Sequence, residues 1–185
     1  MPRRSDTRQK MIVSQALLQR ERGVAGTALP DVLEHSGAPR GSIYHHFPEG
    51  RAQLAEEATT WAADFISRRL EASLADGDPV KALDQFTADR VAVLSDSDFA
   101  AGCPVVAGAL DDTTRRAAAK GFKRWEELLT DVLAKAGAPD AEALAVMFIA
   151  SIEGAIVLSR AEGTTRPLER TADQLRSLLQ KELAA

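Results

Sequence analysis

The sequence predicts an all-α fold of nine helices, and three observations support this prediction. Ala, Leu, Glu, Gln and Arg, which favour helices, are abundant among the 185 residues, whereas aromatic residues make up only 5% of them. Pro and Gly divide the chain into segments of helical length. Within these segments apolar residues recur every three or four positions, as in Leu54, Ala58 and Trp61.

Glycine and proline set the boundaries of these helices, because glycine favours helix ends and proline fits the first turn. The glycines that end predicted helices are Gly23, Gly37, Gly137 and Gly163, and the prolines that begin them are Pro39, Pro79, Pro104 and Pro167. The nine expected helices cover residues 7–22, 29–35, 39–46, 51–74, 79–94, 104–110, 112–136, 140–162 and 167–183.

The composition is that of a soluble protein from a reducing compartment, with 45% hydrophobic and 27% charged residues. The single cysteine, Cys103, excludes an intramolecular disulfide and favours the cytoplasm. The polar N-terminus predicts no signal or transit peptide. The longest apolar stretch, residues 143–158, is interrupted by Ser151 and Glu153 and is shorter than the roughly 20 residues that a bilayer requires. We therefore expect a buried helix there and no membrane contact.

The charge is distributed unevenly along the chain. Residues 1–48 contain seven basic and four acidic residues, whereas the remainder contains 16 basic and 23 acidic residues. A basic N-terminal quarter favours contact with a polyanion. Its three predicted helices, the last two joined by a Gly-containing turn, have the pattern of a helix-turn-helix. The predicted organisation is a DNA-binding domain at residues 1–48 and a second domain at residues 49–185.

A specific motif runs through the predicted helix-turn-helix, consisting of Gly23, Thr27, Ser36-Gly37, Gly41, Tyr44, His46 and Phe47. This spacing resembles, without a gap, the DNA-binding domain of the Tet repressor family of bacterial one-component regulators. Residues 47–54 and the later Gly102-Cys103-Pro104-Val105 resemble the LmrA/YxaF subgroup. The resemblance implies a ligand-responsive transcriptional repressor that binds double-stranded operator DNA as a homodimer and is released by a small hydrophobic effector.

Side-chain chemistry separates candidate base readers within the third predicted helix, which Pro39 opens. Arg40 is the residue there that can donate a bidentate hydrogen bond to guanine. Gly41 and Ser42 are small enough to let the backbone approach base edges, and Ser42 and His45 are secondary candidate readers. The alternative for Arg40 is a solvated surface charge.

The candidate phosphate contacts are Thr27, Tyr44, His46 and Arg51. The first three can donate hydrogen bonds to phosphate oxygens, and Thr27 lies at the start of a helix, where an anion is favoured. The resemblance implies a basic phosphate clamp at the start of the fourth helix, and Arg51 stands there one residue later than the usual spacing. Tyr44 could instead be partly buried, and Ile43 is most simply a core residue.

Two features could indicate other chemistry. His45 and His46 are adjacent, so they project about 100° apart on a helix, and we expect no metal site and no cofactor. Cys103 could be a redox sensor at a helix N-terminus or, more simply, a structural residue.

Five aromatic residues on the apolar faces of the long helices are candidates for the wall of an effector cavity, although each could simply fill a core. They are Trp61, Phe65, Phe86, Phe122 and Trp125. The helix at 140–162 is apolar on nearly every face, and its small residues Ala150, Ser151, Gly154 and Ala155 would allow close approach of another helix. We expect residues 140–183 to form a two-fold dimer interface.

Two other function classes remain as alternatives. An enzyme is disfavoured, because the sequence lacks a glycine-rich phosphate loop, a His-Glu-x-x-His motif and a nucleophile elbow. An architectural DNA-binding protein without effector control would share the same N-terminal motif. The sequence therefore predicts a regulator that is not an enzyme.

Overall fold

The computed structural model describes residues 4–184, with side chains from Asp6 onward. Arg3 and the side chain of Arg4, both in the basic N-terminal set, lie outside this part. The described chain contains nine α-helices and no strand, which confirms the predicted all-α fold. The helices are α1 (Arg4–Arg22), α2 (Leu29–Ser36), α3 (Ile43–His46), α4 (Arg51–Leu74), α5 (Pro79–Asp96), α6 (Pro104–Ala109), α7 (Arg115–Lys135), α8 (Ala141–Glu162) and α9 (Arg166–Glu182).

The third predicted helix differs from the expectation of one continuous segment at 39–46. The structure has a 3₁₀ turn, Arg40–Ser42, followed by the four-residue α3. Pro39 is extended, and its carbonyl accepts hydrogen bonds from the Ser42 amide at 2.9 Å and the Ser42 hydroxyl at 2.6 Å. Because these bonds close a tighter turn and Gly41 has low helix propensity, the regular α-helix begins only at Ile43.

The helices form two compact units. The first comprises Met1–Phe65 and Cys103–Gly121, and the second comprises Ile66–Gly102 and Phe122–Ala185. Helices α4 and α7 therefore each contribute to both units. The functional boundary expected between residues 48 and 49 stays a prediction.

A chain of buried polar side chains joins three helices in the first unit. Gln19 of α1, which is fully buried, donates hydrogen bonds to Thr59 Oγ1 of α4 at 3.1 Å and to the Pro104 carbonyl of α6 at 3.0 Å. Its own carbonyl oxygen accepts a hydrogen bond from Gln15 Nε2 at 3.3 Å. Both amide protons of Gln19 are therefore satisfied, so burial of this side chain fixes α4 and α6 against α1.

Two glycines allow α6 and α7 to lie very close to α4. A Cβ atom on Gly121 of α7 would lie 2.6 Å from the Ala63 Cβ atom, and one on Gly108 of α6 would lie 2.7 Å from Thr59 Cγ2. Contacts this short do not occur in real structures, so the packing in the first unit requires the absence of a side chain at both positions.

We expect Gly121→Ala to lower the free energy of unfolding by about 1–3 kcal/mol, because the new methyl group overpacks the contact with α4. The gain in helix propensity, about 1 kcal/mol, offsets this only in part. Urea unfolding followed by circular dichroism measures the change. The control is Gly41→Ala, whose added methyl meets nothing within 4 Å and should leave stability equal or higher. A Gly121→Ala variant as stable as the wild type would contradict the close packing.

The core of the second unit lies between α8, α9 and α5. From α8, Leu144, Phe148 and Ile152 are buried against Leu168 and Leu179 of α9. Asp140 begins α8 with its carboxylate, which accepts a hydrogen bond from the Ala143 amide at 3.1 Å, and Gly163 ends it with a φ of 63°. The two helices thus form an antiparallel pair whose facing sides are apolar.

Helix α8 is only partly covered, contrary to the expected burial on every side. Its outer apolar side chains Val146, Met147, Val157 and Leu158 are 37–54% exposed. By length and composition α8 could cross a membrane, with a mean hydropathy of 1.9 over an 18-residue window of which 33% is buried. Because α5 and α9 pack against only one side, the chain leaves a second apolar face of α8 uncovered.

Candidate DNA-binding surface and ligand cavity

The connection between α2 and α3 is a short turn that requires glycine. Gly37 has a φ of 66°, which residues with a Cβ atom rarely adopt, and its amide donates to the Glu34 carbonyl. The Ala38 amide donates to the Leu33 carbonyl at 3.1 Å, which satisfies a second carbonyl at the end of α2. This turn redirects the chain so that α3 follows α2 at once, as in a helix-turn-helix.

One face of α3 is anchored in the core of the first unit. Ile43 is 3% exposed and Phe47, four residues later, is fully buried. The Arg8 guanidinium lies 4.8 Å from the centre of the Phe47 ring and contacts both Glu57 carboxylate oxygens, at 2.7 and 2.6 Å. These contacts fix the orientation of α3 relative to α1 and α4.

The opposite face of α3 and the turn before it point to solvent. Tyr44 is 66% exposed, so it is not a core residue, and Pro39, Arg40, Gly41 and His45 are exposed as well. A Cβ atom on Gly41 would meet nothing within 4 Å. The structure thus brings five of the nine predicted DNA-contact residues onto one open surface.

Ser42 and His46 lie at the edge of this surface and are half-buried. The Ser42 hydroxyl proton is committed to the Pro39 carbonyl, so towards solvent Ser42 can act only as an acceptor. The His46 ring stands edge-on to the His45 ring, with 5.2 Å between the centroids.

Thr27 has a different position from the one expected of a phosphate contact. It is fully buried, and its hydroxyl donates to the Gly23 carbonyl at 2.8 Å while its amide donates to the Val24 carbonyl at 3.2 Å. These bonds close the turn between α1 and α2. We therefore assign Thr27 a structural role and do not retain it among the DNA contacts.

Arg51 begins α4 and joins it to the α1–α2 turn. Its Nη2 atom donates to the Val24 carbonyl at 2.8 Å, and the residue remains exposed. Hydrogen bonds from Thr113, and the positive charge of Arg51 as a smaller contribution, keep the pKa of Asp111 below its usual value. Arg51 is therefore held in place structurally while it still presents a positive charge to solvent.

A cavity of about 70 Å³ lies in the second unit. Side chains from the second half of α4 and from α5, α7, α8 and α9 line it, and all of them except Glu153 are apolar. Trp125, which is 4% exposed, forms part of this wall, and its indole N–H donates to Ser67 Oγ at 3.1 Å. The cavity is therefore a dry apolar space with one carboxylate in its wall.

Of the five aromatic residues expected at this cavity, Phe86 and Trp125 line it. Phe122 stands edge-on to Trp125, with 5.1 Å between the ring centroids, and lines a neighbouring open recess with Glu126 and Glu153. Trp61 and Phe65 lie in the first unit, where their rings stack at 5.4 Å. The structure thus brings two of the five together in the cavity.

Sequence reasoning missed the aliphatic lining and Glu153. The signal for Glu153 was present, because it interrupts the apolar stretch 143–158 on a helix expected to be buried. Cys103, the N-cap of α6, is 8% exposed, which favours the structural interpretation. Within residues 4–184 no three His, Cys, Asp or Glu side chains lie close enough to hold a metal ion.

Two family models match the chain. The model described as "Bacterial regulatory proteins, tetR family" matches residues 17–58, which include α2 and α3. The model described as "Transcriptional regulator LmrA/YxaF-like, C-terminal domain" matches residues 79–174, which include α5 to α8. The first match covers the open surface of α3, and the second covers much of the cavity wall.

Individual proteins are similar over almost the whole chain. An HTH-type transcriptional regulator of Mycobacterium tuberculosis is 41% identical over 188 residues, which cover 95% of each chain. The HTH-type transcriptional regulator YxaF of Bacillus subtilis is 30% identical over 189 residues, covering 98% of this chain and 99% of YxaF. The crystal structure of regulatory protein TetR from Rhodobacter sphaeroides superposes with a TM-score of 0.81, at 24% identity, covering 91% of this chain and 96% of that chain.

Proposed function

Because the chain belongs to the TetR family of bacterial transcriptional regulators, with a C-terminal domain of the LmrA/YxaF-like type, we propose that it is a cytoplasmic repressor with a small-molecule effector. It binds a two-fold-symmetric operator as a homodimer and leaves the DNA when a hydrophobic molecule enters the cavity. The family and the fold are those of regulators and not of enzymes. The observation that carries the proposal is the anchored α3, with an open polar face opposite Ile43 and Phe47.

The residues of this face divide into base readers and phosphate contacts. Arg40, exposed in the turn that leads into α3, donates two hydrogen bonds to guanine in the major groove. Ser42 accepts a hydrogen bond from a base amino group, and His45 is a further reader. Tyr44 and His46 donate to phosphate oxygens, which positions α3 but does not specify sequence.

Arg51→Ala should weaken binding to all DNA sequences and reduce the slope of log affinity against log salt by roughly one. The reason is that the exposed guanidinium neutralises one backbone phosphate at the start of α4. Fluorescence anisotropy between low and high salt measures the slope. The control is Arg116→Ala, which removes an exposed charge from α7. An unchanged slope in Arg51→Ala would limit Arg51 to its hydrogen bond with Val24.

The uncovered face of α8 supports the homodimer. A two-fold interface places the same patch of each subunit against the other, so one self-complementary apolar face is sufficient. Gly154 faces this open side, since a Cβ atom there would meet nothing within 4 Å. The interface then spans the outer side of α8 together with α9, residues 140–183, and separates two α3 helices for adjacent half-sites.

The size of the cavity supports a mechanism of release. Drug-sized ligands occupy roughly 300–1,000 Å³, so an effector must push the lining helices apart. Ile66, Leu70 and Leu74 line the cavity from α4, the helix whose first residue is Arg51. Movement of this continuous helix would link effector binding to the DNA contacts. A coupling of about 1–3 kcal/mol would lower operator affinity roughly 5- to 150-fold.

Selection of bound duplexes from a random pool by the full-length protein tests the DNA-binding function. We expect a pseudo-palindromic site whose half-site centres are about 10 base pairs apart, because each α3 occupies one major groove of a two-fold dimer. A scrambled site of equal length is the control. Tight binding without any enriched sequence would contradict the repressor and favour the architectural alternative. A loss of operator affinity on adding hydrophobic compounds would separate the two further.

A further inference from the structure

We propose that the effector is an apolar molecule that carries a protonated amine, and that Glu153 binds this amine. The inference rests on the proposed function, because it assigns a chemical class to the ligand of the same cavity. It depends on the single ionisable side chain among the described residues that line the cavity wall.

Glu153 is the only lining residue that can distinguish ligands by charge. The remaining lining side chains are apolar, and the one that carries a polar hydrogen, Trp125, donates it to Ser67 Oγ at 3.1 Å. Glu153 lies between Ile149 and Ile152 of the cavity wall and the neighbouring recess, which it also lines. A ligand that fills the apolar space therefore meets a carboxylate at the side where the cavity adjoins the recess.

The other charges near this wall do not reverse its sign. Glu126 adds a second carboxylate to the recess and forms an ion pair with Lys123, with 2.7 Å between Nζ and Oε1. The Arg90 guanidinium lies 5.3 Å from the centre of the Phe86 ring and is not among the lining residues. The ionisable group that a bound molecule meets inside the cavity is thus an acid.

An ammonium group and a carboxylate group on the same apolar body should bind very differently here. Both lose water on entering, so the desolvation costs largely cancel in a comparison of the two. The ammonium donates charge-assisted hydrogen bonds to Glu153, whereas the carboxylate is repelled by it. Hydrogen bonds to charged groups correspond to roughly 10- to 100-fold in affinity.

Three probes with one benzene ring and matched side chains test this difference: phenethylamine, ethylbenzene and phenylacetate. Isothermal titration of the full-length protein at neutral pH should show phenethylamine binding at least tenfold more tightly than phenylacetate. Glu153→Gln, which keeps the shape of the side chain, should reduce this ratio about tenfold. Its affinity for ethylbenzene should stay within about twofold of the wild-type value. Glu127→Gln, which removes an exposed carboxylate of α7, is the control and should leave the ratio unchanged.

The outcomes separate this inference from the proposed function. If ethylbenzene binds but phenylacetate binds as tightly as phenethylamine, the cavity is retained and the charge preference is overturned. An unchanged ratio in Glu153→Gln, or in Glu153→Met if Glu153→Gln does not fold, also overturns the role of Glu153. If none of the three probes binds to the wild type, the cavity itself is overturned as the effector site.

Discussion

Gly154→Arg is expected to convert the dimer into monomers and to lower operator affinity at least ~100-fold, because both half-sites are then no longer bound through one molecule. Within one chain the new side chain meets open space, so the protomer should still fold. In the dimer the arginine would stand in the apolar interface without a partner, which is strongly unfavourable. Sedimentation velocity at micromolar concentration measures the oligomeric state, and anisotropy measures the affinity.

The matched control for this variant is Ala92→Arg. Ala92 is exposed on α5, outside the proposed interface, so the same added charge should leave both the dimer and the DNA affinity unchanged. A dimer of Gly154→Arg as stable as the wild-type dimer would contradict the assignment of the interface to α8. A wild-type protein that is monomeric under the same conditions would contradict the two-fold arrangement altogether.

Arg40→Ala is expected to cost about 1–3 kcal/mol per half-site on the selected operator, and both half-sites of a dimer lose it together. The cause is the loss of a bidentate hydrogen bond to guanine, which is made only on the correct sequence. Binding to random DNA should change little. Repeating the selection with the variant should show that the preference relaxes at one base pair of each half-site.

The comparison of specific and random DNA distinguishes the possible roles of Arg40. Equal losses on both would reassign it to a phosphate contact, and no loss on either would make it a solvated surface charge. Arg116→Ala removes an exposed arginine of the first unit elsewhere on the surface and serves as the control for net charge.

Local sequence signals predicted the positions of the helices well. Glycine ends at Gly37 and Gly163 and proline starts at Pro79 and Pro104 are properties of the backbone itself, and they hold in any tertiary context. The burial of Ile43 and Phe47 also follows from their spacing of four residues on one helix face. The exposed face of α3 could therefore be recognised before the structure was examined.

The cavity could not be predicted in the same way. Periodicity shows which face of a helix is buried, but it does not show whether that face meets a close neighbour or leaves a space. Choosing aromatic residues selected Trp61 and Phe65, which stack on each other in the first unit, and passed over the aliphatic residues that line the cavity. Thr27 was misassigned for a related reason, because its burial depends on how the turn at Gly23 folds back.

The positions of the two tryptophans give each compact unit its own intrinsic fluorophore. Trp61 is half-buried in the first unit, and Trp125 is enclosed in the second, at the cavity wall. A Trp61→Phe variant would emit from the cavity wall only, and a Trp125→Phe variant would emit from the first unit only. Unfolding, ligand entry and DNA binding could then be followed optically in either unit without an attached dye.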